Sequence, residues 1–493
     1  MSAYETYRQL RTKIAAYNLA LATLHWDGAT VAPKKGASYR SQMMGILSGE
    51  MFSIMTDQHT IQTMQEALNE DLTEVQRKEI KQSLKNVLDV VNVPKDKYIE
   101  FVSLQSEAEH VWEEAKSKNE YGMFKPYLSK LIEMVKEIVS YRESTLPVYE
   151  QLLDDFEEGM RSVDYDAFFD EVRSKLVPFI QKVLSSNRPA PAFLSATVSE
   201  DEQKKLIDYL APVLDYSLET GAIAKSVHPF SSHFSAYDNR VTVRYLTNQM
   251  TSSIFAFIHE VGHATYNGQV NPEFEGMTIA QSMTYGLHES QSRLLENLIG
   301  KTRAFWQPHY THVQSIISAL KDVSFDEFIF GINYVEQSFI RVEADELTYP
   351  LHIMLRYELE KALFDGSLSV DDLPSVWNEK FKAYLNLDVT SDDHGVLQDV
   401  HWSGAAFGYF PTYALGSAYG AMFFEAMNAS FNVEEALLNQ DFKQIKVWLK
   451  ENIHQYGGLY NGKDLIQRVC GESFSASAYV NGLIEKYSKL YSL

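Results

Sequence analysis

The sequence predicts a mainly α-helical protein with a small β-sheet beside one of its helices. Most segments repeat apolar residues at intervals of three and four with charged residues between them, as helices with one buried face do. Helix-start signals recur along the chain. Only one short segment alternates apolar and polar residues in the way a half-exposed strand does.

The chain has 493 residues, of which 45% are hydrophobic, so it has ample material for a core. We predict one domain over residues 1–493. Its N-terminal helical part covers 1–190, and its second part, 191–493, carries the chemically informative motifs. The boundary follows from the segment 185–192, where two prolines cannot continue a helix.

The first predicted helices lie in the N-terminal part, and sequence signals mark where several helices begin and end. The apolar period indicates helices over Val75–Val91, Tyr127–Leu152 and Tyr165–Leu184. Capping boxes are predicted at Thr73 with Gln76, Ser199 with Glu202, and Ser324 with Glu327, and stop signals at Asp365-Gly366 and Gly457-Gly458.

The later elements begin with the alternating segment 239–245, which predicts a strand. Helices are expected over 253–266 and 281–299, joined by a loop with several glycines and prolines. The uncharged stretch 403–424 is long enough to cross a bilayer, but its glycines, proline and polar residues favour buried core over a membrane span.

Net charge and cysteine content exclude several classes of protein. Lys and Arg total 44 and Asp and Glu 66, which gives a net charge of −22 and disfavours binding to nucleic acid or anionic membranes. The lone cysteine, Cys470, cannot form an intrachain disulfide. Charges near the N-terminus stand where a signal peptide needs an apolar run, so we predict a cytoplasmic protein.

The helix over 253–266 contains the pattern His-Glu-x-x-His. The spacing of four places His259 and His263 on one face, where both imidazoles can reach one metal ion at about 2.0–2.1 Å. Glu260 is rotated about 100° from His259, so it can meet a water held by the ion without binding the ion itself. Because the helix is apolar nearly all round, three buried polar groups there indicate a site.

A catalytic zinc of this kind needs a third protein ligand and an open position. Glu289 and Glu296 belong to the next predicted helix, which could fold back against the first. The remaining candidates are two carboxylates of the intervening loop and one further histidine: Glu273, Glu275 and His288. Periodicity alone does not choose between Glu289 and Glu296.

Six motifs resemble those of the carboxypeptidase Taq family of metallocarboxypeptidases. They occur in the family's order between residues 228 and 402. They are His228-Pro-Phe, Asp238-x-Arg240-x-Thr242, His259-Glu-x-x-His263, His288-Glu-Ser-Gln291, Ile340-Arg341-x-x-Ala344-Asp345, and Gly395-x-x-Gln398-Asp399-x-His401-Trp402.

The resemblance implies a large helical zinc-peptidase fold with a deep substrate groove, in which the N-terminal part forms one wall. It implies that Glu289 is the third ligand of one zinc ion per chain, or of Co²⁺ or another divalent ion, and that Glu260 is the general base. It also implies a broadly specific carboxypeptidase that acts on peptides with a free C-terminus, and a homodimer.

Two arginines are candidates for binding the terminal carboxylate of a peptide, because a guanidinium can do so with two hydrogen bonds. They are Arg341 and Arg240. Each could instead form a structural ion pair, Arg341 with Asp345 and Arg240 with Asp238. The strand that carries Arg240 could also line the cleft and pair with an extended substrate backbone.

His401 and Tyr409 are candidates for donors to the tetrahedral oxyanion of peptide hydrolysis, or for packing in an aromatic core. Asp345 and Asp399 could orient ligand imidazoles or cap helices. Two rival functions remain: an endo-acting oligopeptidase with the same catalytic set, and a zinc-stabilised peptide-binding scaffold. An intact Glu260 argues against the scaffold, because a structural zinc site needs no general base.

Overall fold

The computed structural model describes residues 1–493 and contains 22 α-helices and one three-stranded sheet, so the mainly helical fold class is confirmed. The helices before the sheet are α1 (Ala3–Thr30), α2 (Ala37–Thr56), α3 (Gln58–Ala67), α4 (Glu74–Val91), α5 (Lys95–Lys118), α6 (Tyr121–Ser140), α7 (Val148–Phe156), α8 (Ser162–Glu171), α9 (Val177–Leu184) and α10 (Glu200–Val213).

Comparison of these helices with the sequence predictions gives mixed results. The helix predicted over 75–91 and the capping boxes at Thr73 and Ser199 are confirmed. The single helix predicted over 127–152 is wrong, because α6 ends at Ser140 and α7 begins after Pro147. Proline disfavours helical geometry in the residue before it, which favours a break in front of Pro147. A π-helical turn, Val172–Leu176, joins α8 to α9.

The small sheet contains β1 (Ile223–Lys225), β2 (Ser231–Ser235) and β3 (Asp238–Val243) in the order β1-β3-β2. β3 pairs parallel with β1 and antiparallel with β2. The strand predicted over 239–245 is therefore present. The expectation that it could pair with a substrate backbone is wrong, because both edges of β3 already pair with neighbouring strands.

The helices after the sheet are α11 (Met250–Gln269), α12 (Tyr285–Arg293), α13 (Arg303–Trp306), α14 (Tyr310–Ile316), α15 (Phe325–Ile332), α16 (Tyr349–Asp365), α17 (Leu373–Leu385), α18 (Pro411–Ser430), α19 (Val433–Leu438), α20 (Phe442–Asn452), α21 (Gly462–Cys470) and α22 (Ser477–Tyr491). A π-helical segment, Leu294–Ile299, continues α12. At Ser324, the side chain caps α15 without the reciprocal bond of a full capping box.

The uncharged stretch 403–424 divides into irregular backbone and the first part of α18, most of which is buried. None of the helices has both the length and the apolar character required to cross a bilayer.

Glycines bring three helices into close contact around the centre of the molecule. A Cβ atom added to Gly262 of α11 would lie 2.6 Å from the Cα of Ser292, just before the π-helical segment that continues α12. A Cβ atom added to Gly416 of α18 would lie 2.6 Å from the Cγ of Glu289. Because real Cβ atoms do not approach other atoms so closely, glycine allows both α11 and α18 to pack directly on α12.

The buried apolar residues form two clusters. The main cluster draws on residues from Ala108 to Tyr491 and includes side chains from both sides of the proline segment at 185–192. A second cluster joins α1, α3 and α4 and contains six buried residues: Tyr7, Ile61, Met64, Ala67, Ile80 and Val87. We call residues 3–91 the N-terminal arm.

Candidate metal centre and active site

The side chains of His259, His263 and Glu289 meet where α11 packs against α12. One donor atom from each lies within 4.8 Å of the other two. The Nε2 atoms of both histidines are 3.6 Å from Oε2 of Glu289. This arrangement matches the spacing expected when two imidazoles and one carboxylate surround a single divalent ion.

Glu296 lies behind His259 rather than inside this cluster. Its carboxylate is 2.9 Å from Nδ1 of His259, and that contact leaves Nε2 of the same ring facing Glu289. A carboxylate that accepts from the second nitrogen of a ligating imidazole fixes the tautomer and the ring orientation. The open choice between the two glutamates therefore resolves geometrically, with Glu289 as a member of the cluster and Glu296 as its support.

Arg293 connects the two glutamates. Its guanidinium donates to Oε1 of Glu289 at 2.7 Å and to Oε2 of Glu296 at 3.2 Å, and it stacks on the ring of Tyr349. Burial opposes ionisation of Glu289, but Arg293 and the two imidazoles hold the pKa of its carboxyl well below the ordinary value. Glu289 is therefore a carboxylate with one oxygen engaged by Arg293 and the other facing the histidines.

The remaining candidates for a third ligand lie outside the cluster. The ring of His288 stacks on that of His263 with centroids 4.4 Å apart, and its Nε2 is 3.2 Å from Oδ1 of Asn267. Glu273 and Glu275 are exposed in the loop between the two helices.

Glu260 is on the same helix as the two histidines and is 8% exposed. It is not one of the three clustered donors. Its position follows from the helical rotation of about 100° per residue, which directs it away from the face shared by His259 and His263. The carboxylate is therefore close to the cluster in sequence and free of the role of a ligand.

Arg341 is 6% exposed and does not pair with Asp345. Its Nε and Nη2 atoms are 3.0 and 2.9 Å from Oδ1 of Asp399, and its Nη1 donates to the hydroxyl of Tyr349 at 3.2 Å. Arg356 of α16 occupies the other oxygen of Asp399. Two buried guanidinium groups thus share one carboxylate, which leaves an excess positive charge.

Arg240 has a different environment at the sheet. It forms two parallel hydrogen bonds to Asp238, at 2.8 and 2.7 Å, and its guanidinium stacks on Phe234. The structural ion pair that the sequence offered as the alternative for Arg240 is therefore present. Trp26 of α1 lies on the same guanidinium, with the ring centroid 5.7 Å away.

His401 and Tyr409 are close together in the irregular segment before α18, with ring centroids 5.4 Å apart. Nε2 of His401 is 3.4 Å from the hydroxyl of Tyr413. Burial and then the charge of Arg341 lower the pKa of His401 to about 4, so its ring is neutral at pH 7. Burial raises the pKa of Tyr409 to about 12, so its hydroxyl keeps its proton.

Asp345 and Asp399 were candidates for orienting the imidazoles of the metal ligands, and neither contacts those imidazoles. Asp345 accepts hydrogen bonds from the backbone of Leu347 and Thr348 and from the hydroxyl of Thr348, at the start of α16. Asp345 therefore stabilises the turn that precedes α16, whose N-cap residue is Thr348. Asp399 pairs with arginines instead.

A cavity of about 810 Å³ lies between α1 and the sheet. Its polar lining includes Arg8, Arg11, His233 and Asn267. Asn267 is the residue that contacts His288, and His288 stacks on His263. The cavity wall is thus two side-chain contacts from a clustered histidine.

Comparison with known proteins identifies the family of this chain. A model of the family described as carboxypeptidase Taq (M32) metallopeptidase matches residues 6–487. The chain is 39% identical to carboxypeptidase 1 of Bacillus subtilis, with 98% of both chains covered, and 34% identical to thermostable carboxypeptidase 1 of Thermus thermophilus, with 99% of both covered. The chain belongs to the carboxypeptidase Taq family.

Solved structures of the carboxypeptidase Taq family have the same fold. A family carboxypeptidase from Deinococcus radiodurans superposes with a TM-score of 0.96 at 29% identity, over 100% of both chains. The carboxypeptidase of Pyrococcus furiosus gives a TM-score of 0.95 at 30% identity, over 99% of both chains. The chain is therefore a peptide hydrolase of the carboxypeptidase class, and its family implies a divalent metal ion.

The residues of this carboxypeptidase Taq family member suit such an ion. Two imidazole nitrogens and one carboxylate oxygen are a donor set that divalent zinc accepts. The contact of Glu296 with Nδ1 of His259 fixes which nitrogen remains for an ion. The donors are partly buried on two packed helices, so folding alone brings them together.

Several supporting residues were missed by the sequence analysis. Arg293 follows Glu289 by four residues, a spacing that could have suggested an ion pair on the helix. No sequence pattern indicated the roles of Arg356, Glu157 and Glu360, because their hydrogen-bond partners are distant in sequence. Glu157 is fully buried and accepts from Thr284 and Gly286 at the start of α12 and from Tyr419 of α18.

Proposed function

We propose that this chain is a zinc-dependent carboxypeptidase of broad specificity, which hydrolyses the C-terminal peptide bond with Glu260 as the general base. The observation that carries the proposal is the meeting of His259, His263 and Glu289 within 4.8 Å on two packed helices. The names of the relatives, which are carboxypeptidases, support the direction of attack.

Zinc is the proposed ion, with Co²⁺ or another divalent ion as a substitute. His259, His263 and Glu289 would hold it, since two histidines and a glutamate are a common catalytic zinc set. When bound, the ion supplies Lewis acidity, which polarises the scissile carbonyl and lowers the pKa of water.

Proton transfer is the proposed role of Glu260. Its carboxylate takes a proton from the attacking water and later gives that proton to the leaving amine. Burial at 8% exposure supports this role, since a carboxylate shielded from solvent keeps the proton near the reaction instead of losing it to bulk water.

Stabilisation of the oxyanion is the proposed role of His401 and Tyr409. A neutral donor is needed where negative charge develops, and both groups carry a proton in their neutral forms at pH 7. The pKa of His401, about 4, and the pKa of Tyr409, about 12, support this proposal.

Recognition of the substrate's terminal carboxylate is assigned to Arg341 in preference to Arg240. The pair of Arg341 and Arg356 exceeds the single charge of Asp399, so an added carboxylate would complete the charge balance. Asp238 accepts hydrogen bonds from Nε and Nη2 of Arg240 and balances its single charge. Arg240 therefore has no excess charge for a substrate carboxylate to balance.

The substrate path and the assembly are part of the same proposal. Residues 1–190 would form one wall of the groove, and the cavity between α1 and the sheet would receive the peptide. We also propose a cytoplasmic homodimer. Helix α2 supports a dimer, because it buries no residue of its own and exposes Tyr39, Ile46 and Phe52.

Mass spectrometry of a mixed peptide pool tests this function. After incubation with the zinc-loaded protein, the pool should contain ladders shortened only from the C-terminus. Internal cuts would replace the carboxypeptidase with an endo-acting oligopeptidase. Bound metal measured on protein purified without added metal identifies the ion, and a stoichiometry near one per chain is expected.

A further inference from the structure

The segment that carries His401 and Tyr409 contains no helix or strand. Residues 399–410 form turns and irregular backbone between α17 and α18. Catalytic side chains on such a segment must be held close to their productive geometry by contacts with residues outside the segment. The side chains that hold this segment therefore bear on its chemistry.

Glu360 of α16 accepts hydrogen bonds from both ends of this segment. Its Oε1 accepts from Nε1 of Trp402 at 2.8 Å, and its Oε2 accepts from the backbone N–H of Gly408 at 2.8 Å. Trp402 follows His401 directly, and Gly408 directly precedes Tyr409. One carboxylate thus contacts the immediate neighbour of each proposed oxyanion donor.

The carboxylate is itself fixed. Glu360 is 0% exposed, and the hydroxyl of Tyr149 donates to its Oε2 at 3.0 Å. Arg356 lies one turn earlier on α16 and pairs with Asp399, two residues before His401. Two successive turns of one regular helix therefore hold the segment at three points.

Gly408 shows how closely the segment is packed at its second end. Its φ is +87°, and a Cβ atom there would lie 2.7 Å from the carbonyl oxygen of Leu152 on α7. The backbone N–H of Gly408 is therefore confined between α7 and Glu360. Movement of the carboxylate would move the backbone that leads into Tyr409.

We propose that Glu360 is a positioning residue for this peptidase, whose carboxylate sets the separation of His401 and Tyr409. This inference rests on the proposed oxyanion role of those two residues. An ionised carboxylate suits the task because it offers acceptors on both oxygens to the two N–H donors at once. Burial raises the pKa of Glu360 to about 7, so the kinetics below are measured above neutral pH. An amide has one acceptor oxygen, so Glu360→Gln leaves one of the two N–H groups facing an NH₂ group.

The test is a double-variant cycle measured on metal-loaded protein. Glu360→Gln should lower kcat at least about tenfold, since small misplacements of catalytic groups are costly, while KM changes less than about twofold and bound metal stays at the parental stoichiometry. In a His401→Ala background, the same substitution should lower kcat by a clearly smaller factor, because one of the two groups that Glu360 positions is gone.

Glu79→Gln is the matched control. Glu79 is also 0% exposed and accepts from a tyrosine, Tyr7, and from a backbone N–H, that of Ile279. Whatever change in kcat follows its substitution should be the same in the parental and His401→Ala backgrounds. If Glu360→Gln acted only by a general loss of stability, it would behave like this control and change kcat by the same factor in both backgrounds.

Three results would overturn the inference. An unchanged kcat in Glu360→Gln, or an equal fold-loss in both backgrounds, removes the positioning role and leaves the proposed function intact. An unchanged kcat in His401→Ala alone removes the oxyanion role, and the positioning role with it. If Glu360→Gln does not fold, Tyr149→Phe removes a hydrogen bond to the same carboxylate without changing the segment. It should cause a smaller loss of kcat, and that loss should be smaller still in the His401→Ala background.

Discussion

Gly416 offers a sensitive test of the metal centre, because it lies against a proposed ligand without being one. In Gly416→Ala, the new Cβ atom would lie 2.6 Å from Cγ and 2.7 Å from Cβ of Glu289. Ordinary carbon contacts are about 3.5–4.0 Å, so Glu289 or α18 must move by about 1 Å. Metal ligands tolerate displacements of about 0.2 Å.

We therefore expect Gly416→Ala to weaken metal binding by about 10–100-fold, the range seen when residues that support metal ligands are changed. The effect on folding should be smaller. Overpacking costs about 1–3 kcal/mol, and the better helix propensity of alanine offsets about 1 kcal/mol of this. Zinc affinity, measured by competition with a chelator, should thus change more than the free energy of unfolding of the metal-free protein.

Gly420→Ala is the control on the same helix face. Its added Cβ atom would lie 3.0 Å from the carbonyl oxygen of Ser290, one turn along α18, and would not contact Glu289. We expect zinc affinity within about threefold of the parent. Parental zinc affinity in Gly416→Ala, with the protein folded, would refute the reasoning and would mean that Glu289 is not held against α18 as a ligand.

Four further predictions concern chemistry and pH. Glu260→Gln should keep its metal and fold but lose kcat by about 10² or more, and near-parental kcat in metal-loaded protein would contradict the general-base role. Glu289→Ala should lose bound metal on elemental analysis, and retention at full stoichiometry would transfer the ligand role elsewhere. Amidation of a peptide's C-terminus should reduce cleavage by more than about tenfold, since it removes a charge-assisted contact. Arg341→Ala should reduce cleavage of free-acid peptides and shrink the difference between acid and amide, which Arg240→Ala should preserve. Burial raises the pKa of Glu157 from 4.5 to about 7, so the folded state holds this proton more tightly than the unfolded state. The stability of the parent relative to Glu157→Gln should therefore fall by up to about 1.4 kcal/mol per pH unit as pH rises from about 4.5 to 7, and stay level outside that range in urea titrations.

The sequence predicted the elements whose causes are local. The period of α4, the caps at Thr73 and Ser199, and the alternation of β3 depend on residues within a few positions of one another. The face shared by His259 and His263 follows from helical geometry alone. The one failed helix, over 127–152, failed at Pro147, a local signal that the apolar period concealed.

Contacts between distant segments could not be predicted in this way. Periodicity did not identify which of Glu289 and Glu296 joins the two histidines, because both lie on the same side of α12 and its π-helical continuation. The packing of α11 against α12 decides which one faces the histidines. The pairing of Arg341 with Asp399 joins residues 58 positions apart. The three donors to Glu360 come from α7 and two turns, and no spacing rule relates them.

The N-terminal arm has a separate core of only six buried residues, and this has a consequence for how the molecule opens. Segments with little buried apolar surface unfold at a lower free energy than the rest of a protein. We expect backbone amides of α3 and α4 to exchange with deuterium through local opening, well before those of α11 and α18, which exchange only on global unfolding. A large peptide could then reach the cavity beneath α1 at the cost of loosening the arm alone, while the metal-binding helices stay folded.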